Sequence, residues 1–160
     1  MTEVFLALGA NLGDRSANLE RARAALEHGI LANVSASSIY ETEPWGPVPQ
    51  GRYLNQVLRG TTELTPRELL MRLQEIERSL GRNREREERY GARVIDLDIL
   101  IYGGLKIAEP GLEIPHPRMM QRAFVLAPLA ELAPDLAVNG ISVRAALEGL
   151  DRSGVARYRA

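Results

Sequence analysis

The stretch RVIDLDILIYGG, residues 93–104, constrains the fold more than any other part of the chain. Every second residue from Ile95 to Ile101 is large and apolar, and this period of two predicts a strand with one face in a core. Asp96, Asp98, Leu100 and Tyr102 would then lie on the opposite face. Two ionised carboxylates side by side repel each other, and each loses solvation when it leaves water. The strand therefore needs a group that compensates for both charges.

Three further strands and two helices precede this strand, and their order predicts the architecture. The strands are expected at Val4–Ala10, Val34–Thr42 and Tyr53–Leu64. The spacing of Leu19, Ala22 and Leu26 predicts the first helix, which Gly29 would end. The order β-α-β-β-α-β predicts an α+β domain of the ferredoxin-like type, with a mainly antiparallel sheet and helices packed on one face.

The second helix has the clearest local signals. Thr65 is the expected N-cap, Pro66 is the first helical residue, and Glu68 completes a capping box. The buried stripe would consist of Leu69, Leu73, Ile76 and Leu80. Beyond the aspartate strand we expect a helix over Ala123–Leu132 and a short last helix capped by Ser142.

The composition is that of one soluble globular domain spanning residues 1–160, with 45% hydrophobic and 26% charged residues. A net charge of -1 at pH 7 argues against general binding to nucleic acid or to a membrane surface. The chain has no cysteine, which excludes disulfides, zinc–thiolate sites and thiol catalysis. The first residues, MTEVFLALGANLGD, lack a basic n-region and are too short for a membrane span, so we expect a cytoplasmic protein.

Asp96 and Asp98 form the first candidate site. Side chains two residues apart in a strand point the same way, with Cα atoms about 6.5 Å apart. Such a pair can share one divalent ion or hold two, and hard oxygen ligands favour Mg²⁺ bridged to substrate phosphates. Alternatively, each aspartate pairs with an arginine at the rim of the sheet. The spacing alone leaves both interpretations open.

The segment before the aspartate strand is rich in arginine. It contains Arg82, Arg84, Arg86, Arg89 and Arg93, interspersed with Glu85, Glu87 and Glu88. Alternating charge is typical of a solvated surface, whereas arginine also suits bidentate contacts to phosphate. The chain contains no Gly-Lys pair, which excludes a P-loop. Beside two candidate metal ligands, the arginines favour phosphoryl transfer.

A third cluster lies in the segment IPHPRMMQRAF, where His116 stands between Pro115 and Pro117. Arg118 and Arg122 are four residues apart, so on a helix both would face the same site. His116 could donate to a phosphate oxygen, or it could simply bond to a backbone group. In isolation these two roles are equally compatible with the sequence.

Aromatic and amide side chains form a fourth candidate site. Tyr53 and Asn55 share one face of a strand, where a ring can stack on a flat heterocycle and an amide can bond to its edge. Phe124 could supply the opposite face, although for Tyr53 or Phe124 alone the sequence favours core packing. Glu77, at the edge of the buried helix stripe, is either an ion-pair partner or a recognition carboxylate.

Several motifs together resemble a known family, the 6-hydroxymethyl-7,8-dihydropterin pyrophosphokinases of folate biosynthesis. The matching stretches are ALGANLGD, SSIYETEPWG, YLNQVLRG, ELLMRLQEIERSLGR, RYGARVIDLDILIYG and IPHPRMMQRAFVLAPLAELAPDL. They follow the order of the family from residue 6 to about residue 136. One departure is Tyr90, at a position where the family more often has tryptophan.

The resemblance implies an ATP-dependent diphosphotransferase. Such an enzyme would move the terminal pyrophosphoryl group of ATP onto the hydroxymethyl group of the reduced pterin and release AMP. Its partners would be these small-molecule substrates and two Mg²⁺ ions, with no nucleic acid and no membrane, and we expect a monomer. A sensor domain without turnover and a two-metal nucleotidyltransferase that releases pyrophosphate are the alternatives.

The resemblance also implies roles for individual residues. The catalytic group would be Arg82, Arg93, Asp96 and Asp98, with the two aspartates as metal ligands. ATP would be bound by Leu70, Gln74, Arg84, Arg93, Ile99, Leu112, His116 and Arg122. The pterin would be bound by Thr42, Pro44, Trp45, Tyr53, Asn55 and Phe124. Glu77, Arg86, Arg89 and Arg118 receive no role.

Overall fold

The computed structural model describes residues 1–43, 51–82 and 93–159. Its strands are β1 (Thr2–Ala10), β2 (Ala32–Ala36), β3 (Tyr40–Thr42), β4 (Tyr53–Thr62), β5 (Asp96–Tyr102), β6 (Ile107–Glu109), β7 (Leu112–Ile114), β8 (Ala137–Val138), β9 (Ile141–Ser142) and β10 (Val155–Arg157). Its α-helices are α1 (Arg15–Glu27), α2 (Pro66–Ser79), α3 (Ala123–Leu132) and α4 (Val143–Glu148).

The main sheet has the strand order β10-β3-β4-β1-β5, and β2 also pairs with β4. Each of these pairings is antiparallel. The two crossovers through α1 and α2 place β1 and β4 in the middle of the sheet, as the ferredoxin-like arrangement requires. The predicted fold class is therefore confirmed, and β10 extends the sheet beyond it.

Helices cover both faces of the sheet, so the predicted packing on one face holds for α1 and α2 only. On one face, α1 and α2 enclose the first core, which includes Leu6, Leu8, Leu19, Leu26, Leu58, Leu69, Leu73, Leu97 and Ile99. On the other face, α3 and α4 enclose the second core, which includes Phe5, Val57, Leu100, Ile101, Met119, Leu126, Leu129 and Val143. The alternation along β1 explains this division, because successive side chains of a strand point to opposite faces.

The local signals of α2 produce the structure that they predict. The Thr65 hydroxyl accepts a hydrogen bond from the Glu68 N–H at 3.2 Å, and the Glu68 carboxylate accepts one from the Thr65 N–H at 3.0 Å. Gly81 follows the helix with a positive φ of 100°, a left-handed conformation that favours glycine.

The predicted facing of the last residues of β5 was wrong. Pairing between β1 and β5 shifts between Phe5 and Leu6, so that Leu100 is an extra residue on β5. As a result, Leu100 and Ile101 both belong to the second core, whereas Tyr102 belongs to the first core. A β-bulge inserts one residue and reverses the facing of those that follow it. The two aspartates precede the bulge and keep their predicted common face.

The single strand predicted over Val34–Thr42 was also wrong, because β2 and β3 are separate strands. Ala36 pairs with Leu58, but Tyr40 pairs with Asn55, so one extra residue lies between the two pairs. The hydroxyl of Ser37 accepts the Val57 N–H at 2.9 Å in this interval. A serine side chain thus replaces a backbone acceptor, which interrupts the ladder.

Short strands in the last third of the chain carry no recognisable period and were missed. They are the β6–β7 hairpin, the β8–β9 hairpin and β10, each strand two or three residues long. The predicted last helix is present as α4, where the Ser142 hydroxyl accepts the Ala145 N–H at 3.1 Å. Within residues 1–43, 51–82 and 93–159, no helix has both the length and the apolar character needed to cross a bilayer.

Leu73 provides a test of how strongly α2 packs on the sheet. Its side chain is fully buried in the first core, so Leu73→Ala should lower the free energy of unfolding by about 2–5 kcal/mol. Met71 on the same helix is 56% exposed, and Met71→Ala should change that free energy by less than about 0.5 kcal/mol. Urea unfolding of both variants measures the difference; equal effects would contradict the packing of α2 described above.

Candidate active site

A cleft of about 180 Å³ opens on the α3 face of the sheet. Its floor is formed by β1, β4 and the first half of β5, and its wall by the start of α3. The cleft brings together nine of the predicted site residues, namely Thr42, Tyr53, Asn55, Arg93, Asp96, Asp98, His116, Arg122 and Phe124. These residues come from five separate parts of the chain.

Asp96 and Asp98 lie on the floor of the cleft, at the start of β5. Across the sheet, Asp96 is opposite Gly9 and Asp98 is opposite Ala7, so small residues leave space beside both carboxylates. An added Cβ at Gly9 would lie 3.2 Å from the Asn55 side-chain oxygen, a distance tighter than ordinary contact. Gly9 thus keeps the space between the amide and the aspartates open.

The two aspartates differ in their partners. Asp96 accepts a hydrogen bond from the Arg82 guanidinium at 2.8 Å, and an Arg93 nitrogen lies 3.6 Å from its other oxygen. The interpretation that aspartates pair with arginines therefore holds for Asp96. Within the described part of the chain, Asp98 accepts no such hydrogen bond. Burial, together with the charges of Asp96 and Glu77, raises the pKa of the Asp98 carboxyl to about 7.

This donor set fits Mg²⁺. The described residues contain no group of three histidine, cysteine or acidic side chains arranged around one ion. Two carboxylates on one strand would supply only part of a coordination sphere, and Mg²⁺ typically keeps waters and substrate phosphates as its other ligands. A cation beside Asp98 would also offset the repulsion that raises the pKa of that carboxyl.

A buried ion pair between Glu77 and Arg82 holds Asp96 in place, and the sequence carried only a partial signal of it. Glu77 and Arg82 are 1% and 5% exposed, and the Arg82 guanidinium donates to the Glu77 carboxylate at 2.6 Å. The same Glu77 oxygen accepts the Leu97 N–H at 2.9 Å, which ties α2 to β5. The guanidinium of Arg82 therefore contacts Asp96 underneath, and Arg82 does not line the cleft. Glu77 was detectable as an acid within a buried helical stripe.

Asn11 is a second residue whose importance the sequence did not reveal. Its side-chain oxygen accepts the Arg93 N–H at 2.7 Å, its own N–H donates to the Arg93 carbonyl at 3.0 Å, and its amide donates to the Gly51 carbonyl at 3.2 Å. Asn11 thus joins the end of β1 to the residues that lead into β4 and β5. The available signal was a polar residue directly after an apolar strand.

The aromatic side of the cleft contains Tyr53, Asn55 and Phe124. The Asn55 amide donates to the Thr42 hydroxyl at 2.9 Å, and both residues are buried. This bond fixes the orientation of the amide beside Tyr53 on the same strand face. The Arg122 guanidinium lies 5.5 Å from the centre of the Phe124 ring, close enough for a cation–π contact.

His116 also lines the cleft. Its Nδ1 accepts the Arg118 N–H at 3.2 Å, while burial and the Arg122 charge lower the pKa of His116 to about 4. The imidazole is therefore neutral near pH 7, and its proton resides on Nε2. The expectation that Arg118 and Arg122 share a helical face was wrong. A 3₁₀ turn over Met119–Gln121 separates them, Arg118 is exposed, and Arg122 lines the cleft.

A groove adjoins the cleft and shares Asp98 and His116 with it. Its lining residues are Leu70, Leu97, Asp98, Ile99, Gly111, Leu112, Glu113, His116 and Pro117. Three of the predicted nucleotide contacts, Leu70, Ile99 and Leu112, therefore lie together. Gln74 is half-buried one turn further along α2 and is not part of this lining. Pro44, Trp45 and Arg84 lie outside the described residues, so their roles stay predictions.

Comparison with known proteins gives the family. The family model of 7,8-dihydro-6-hydroxymethylpterin-pyrophosphokinase (HPPK) matches residues 5–134. A 2-amino-4-hydroxy-6-hydroxymethyldihydropteridine pyrophosphokinase of Methylorubrum extorquens is 47% identical over 162 residues, which cover 98% of this chain and 99% of that protein. The Bacillus subtilis protein of the same name is 42% identical over 159 residues, which cover 96% and 94%.

Solved structures agree on the fold. A Plasmodium falciparum HPPK-DHPS triple mutant crystallised with SDX-DHP matches with a TM-score of 0.73 at 17% identity. The match covers 92% of this chain and 44% of that longer chain, and at this identity it shows the fold alone. From the family match and the two bacterial relatives, the chain belongs to the 7,8-dihydro-6-hydroxymethylpterin-pyrophosphokinase family.

Proposed function

We propose that the cleft binds the reduced pterin, that the groove binds ATP, and that two Mg²⁺ ions join them at Asp96 and Asp98. Family membership makes the protein an enzyme, an ATP-dependent diphosphotransferase of folate biosynthesis. The terminal pyrophosphoryl group of ATP moves to the hydroxymethyl oxygen of 6-hydroxymethyl-7,8-dihydropterin, and AMP leaves. The hydroxymethyl oxygen forms a bond to the β-phosphorus as the bond from that phosphorus to the oxygen bridging it to the α phosphate breaks. The bridging oxygen leaves on AMP, and the hydroxyl proton is released to solvent.

One observation carries this proposal: the cleft and the groove meet at Asp98 and His116. The cleft has an amide and two aromatic rings, which suit a flat heterocycle. The groove has an apolar wall of Leu70, Ile99 and Leu112, which suits a purine ring. A phosphate chain that leads out of the groove would pass the carboxylates and reach the acceptor. Transfer between bound substrates needs this kind of alignment more than it needs a protein base.

Asp96 and Asp98 would hold the two Mg²⁺ ions. When bound, Mg²⁺ supplies charge neutralisation for the transferred phosphates. The protein contributes the placement of the ligands: Arg82 donates to one Asp96 oxygen at 2.8 Å, and Glu77 holds Arg82 at 2.6 Å. Buried groups that orient a metal ligand are part of a working site.

Three further residues would bind the polyphosphate. Arg93 is fixed through its backbone by Asn11, with its guanidinium beside Asp96. Arg122 lies above the Phe124 ring, at the N-terminus of α3, where the helix dipole also favours an anion. Neutral His116 would donate from Nε2 to a phosphate oxygen. The roles implied for Gln74 and Arg84 are proposed on the resemblance alone.

The pterin would lie between Tyr53 and Phe124. Asn55, oriented by Thr42, would bond to the edge of the heterocycle, and Gly9 leaves the space that the ring requires. Pro44 and Trp45 would complete this side, as the resemblance implies. We further propose that the enzyme works as a monomer in the cytoplasm, as one domain over residues 1–160, without nucleic acid or membrane partners.

Product analysis tests the reaction. The protein is mixed with ATP, Mg²⁺ and 6-hydroxymethyl-7,8-dihydropterin, and the nucleotides and pterins are separated. We expect AMP and the pterin diphosphate in equal amounts. ADP would indicate a different kinase and free pyrophosphate a nucleotidyl transfer. ATP binding without turnover would favour the sensor interpretation. Any of these three results would overturn the proposal.

The metal assignment is tested by removing one carboxylate at a time. Asp96→Asn and Asp98→Asn should each lower kcat by at least about 100-fold, because an amide is a much weaker Mg²⁺ ligand. Both variants should fold, since each loses a like-charge repulsion. Asp135→Asn, at an exposed surface pair, is the matched control and should keep full activity. Retention of most activity by either cleft variant would contradict the assignment.

The aromatic side is tested at Tyr53. Tyr53→Ala should raise KM for the pterin by about tenfold, which is within the range found when an aromatic ring stacked on a base is removed. KM for ATP should stay unchanged. Tyr53→Phe keeps the ring and should retain most of the affinity. Initial rates at varied concentrations of each substrate measure both constants. An equal rise in the two KM values would argue against stacking on the pterin.

The charge of Asp98 predicts how the metal-free protein responds to pH. Because the pKa of Asp98 is raised from 3.8 to about 7, the folded state binds that proton more tightly than the unfolded chain does. The stability that this proton contributes is complete at low pH and is lost as pH rises through about 7. In EDTA, Asp98→Asn should therefore be more stable than the wild type at pH 8, with little difference near pH 4.

Urea unfolding at both pH values measures this effect. Mg²⁺ should stabilise the wild type at pH 8 more than it stabilises the asparagine variant, since metal binding to the folded state adds to its stability. If the two proteins show the same change in stability between pH 4 and pH 8 and the same stabilisation by Mg²⁺, the placement of the metal at Asp98 is contradicted.

A further inference from the structure

The last strand, β10, covers the outer edge of β3, which carries Thr42 to the cleft. Opposite pairs are Val155 with Thr42, Ala156 with Glu41, and Arg157 with Tyr40. Beyond one end of the pairing, the Glu43 N–H donates to the Gly154 carbonyl at 3.3 Å. Beyond the other end, the Tyr158 N–H donates to the Ile39 carbonyl at 2.8 Å. The final segment thus pairs with β3 over its entire length.

Without this segment, β3 would be an exposed edge strand of three residues. Such a short strand with one partner is held by few hydrogen bonds, and edge elements of this kind open locally at low cost. With β10 in place, β3 is paired on both sides, with β4 on the other. The C-terminal segment therefore decides how firmly the backbone of β3 is held.

Side chains fasten the same segment to α3. The carboxylate of Glu131 accepts the Ser38 N–H at 2.9 Å and a short hydrogen bond from the Tyr40 hydroxyl. The Arg157 guanidinium lies 3.6 Å from the same carboxylate. One acidic side chain of α3 thus connects to β3 and to β10, which stabilises their relative position.

Tyr158 fastens the segment through its contact with Arg15. The Arg15 guanidinium lies 5.6 Å from the centre of the Tyr158 ring and donates to the Glu41 carboxylate at 2.8 Å. Arg15 also donates to the Arg52 carbonyl at 3.0 Å, and the Arg52 guanidinium pairs with Glu43 at 3.0 Å. Tyr158 itself packs against the first core. The Tyr158 ring is therefore connected, through Arg15 and Arg52, to Glu43 in the lining of the cleft.

We propose that residues 154–158 form a positioning element for the acceptor substrate, which sets the place of Thr42 and Glu43 and thereby the affinity for the pterin. The inference rests on the proposed function, and it extends that function to a segment beyond residues 5–134, the part that the family model matches. Thr42 is the acceptor that orients the Asn55 amide, so a shift of β3 would also misplace that amide.

The element acts on one substrate and not on the other. The groove assigned to ATP is built from α2, β5 and β7, and β5 is at the opposite end of the sheet from β10. Two central strands, β4 and β1, lie between β3 and β5. Loosening β3 should therefore raise KM for the pterin and leave KM for ATP unchanged. A general loss of stability would affect both constants alike.

Two variants test the inference. Tyr158→Ala removes the ring from Arg15, and Ala156→Pro interrupts the pairing with Glu41, because proline has no N–H to donate. Each should raise KM for the pterin by at least about fivefold, the size expected for the loss of one cation–π or backbone contact. KM for ATP should stay within about twofold. Tyr158→Phe keeps the ring and should restore the affinity. The matched control is Arg144→Ala, in the same C-terminal third but paired with Asp135, which should match the wild type.

Unchanged KM for the pterin in the folded variants, or an equal rise in both KM values, would overturn the inference. If Ala156→Pro does not unfold cooperatively, the test rests on Tyr158→Ala alone. The Tyr158 ring lies at the partly exposed edge of the core, so its removal should leave the fold intact. Failure of the wild type to form the pterin diphosphate would overturn the proposed function instead. In that case, calorimetric titration compares the pterin affinity of the wild type with that of the variants without turnover. Equal affinities would overturn the positioning role.

Discussion

The buried ion pair between Glu77 and Arg82 is the interaction on which the site depends. Two charges removed from water are tolerated only when they are paired and hydrogen-bonded, and here each satisfies the other at 2.6 Å. Because Glu77 also accepts the Leu97 N–H, the pair sets the distance between α2 and β5. Arg82 can then hold Asp96 from below. Asp98 itself stands where the groove and the cleft meet.

The sheet converts this local arrangement into a site for two substrates. Both of its faces are covered, by α1 and α2 on one side and by α3 and α4 on the other, so β1, β4 and β5 form a rigid floor. Asn55, Gly9 and Asp96 lie in one row across these three strands. Polar groups from distant parts of the sequence therefore face the same space, with glycine between them. The outer strands β3 and β10 close the acceptor side of this row.

Elements with local causes could be predicted from the sequence. The helix α2 has its cap, its proline and its apolar stripe within one short segment, and it forms as expected. The aspartate strand likewise follows from its own alternation. The break between β2 and β3 depends on how Ser37 bonds to Val57, and the bulge at Leu100 depends on pairing with β1. Contacts between distant segments decide such features, so no local pattern announces them.

The sequence by itself determined the β-α-β-β-α-β order of the core elements, the common face of Asp96 and Asp98, and the types of side chain available for binding. The tertiary structure alone decided which of these side chains meet. It buried Arg82 under Asp96, used Asn11 to join Arg93 and Gly51, and placed the last strand beside β3. The physical reason is that a buried charge or an unpaired backbone group must find a partner, and the partner is the group that the fold brings within reach.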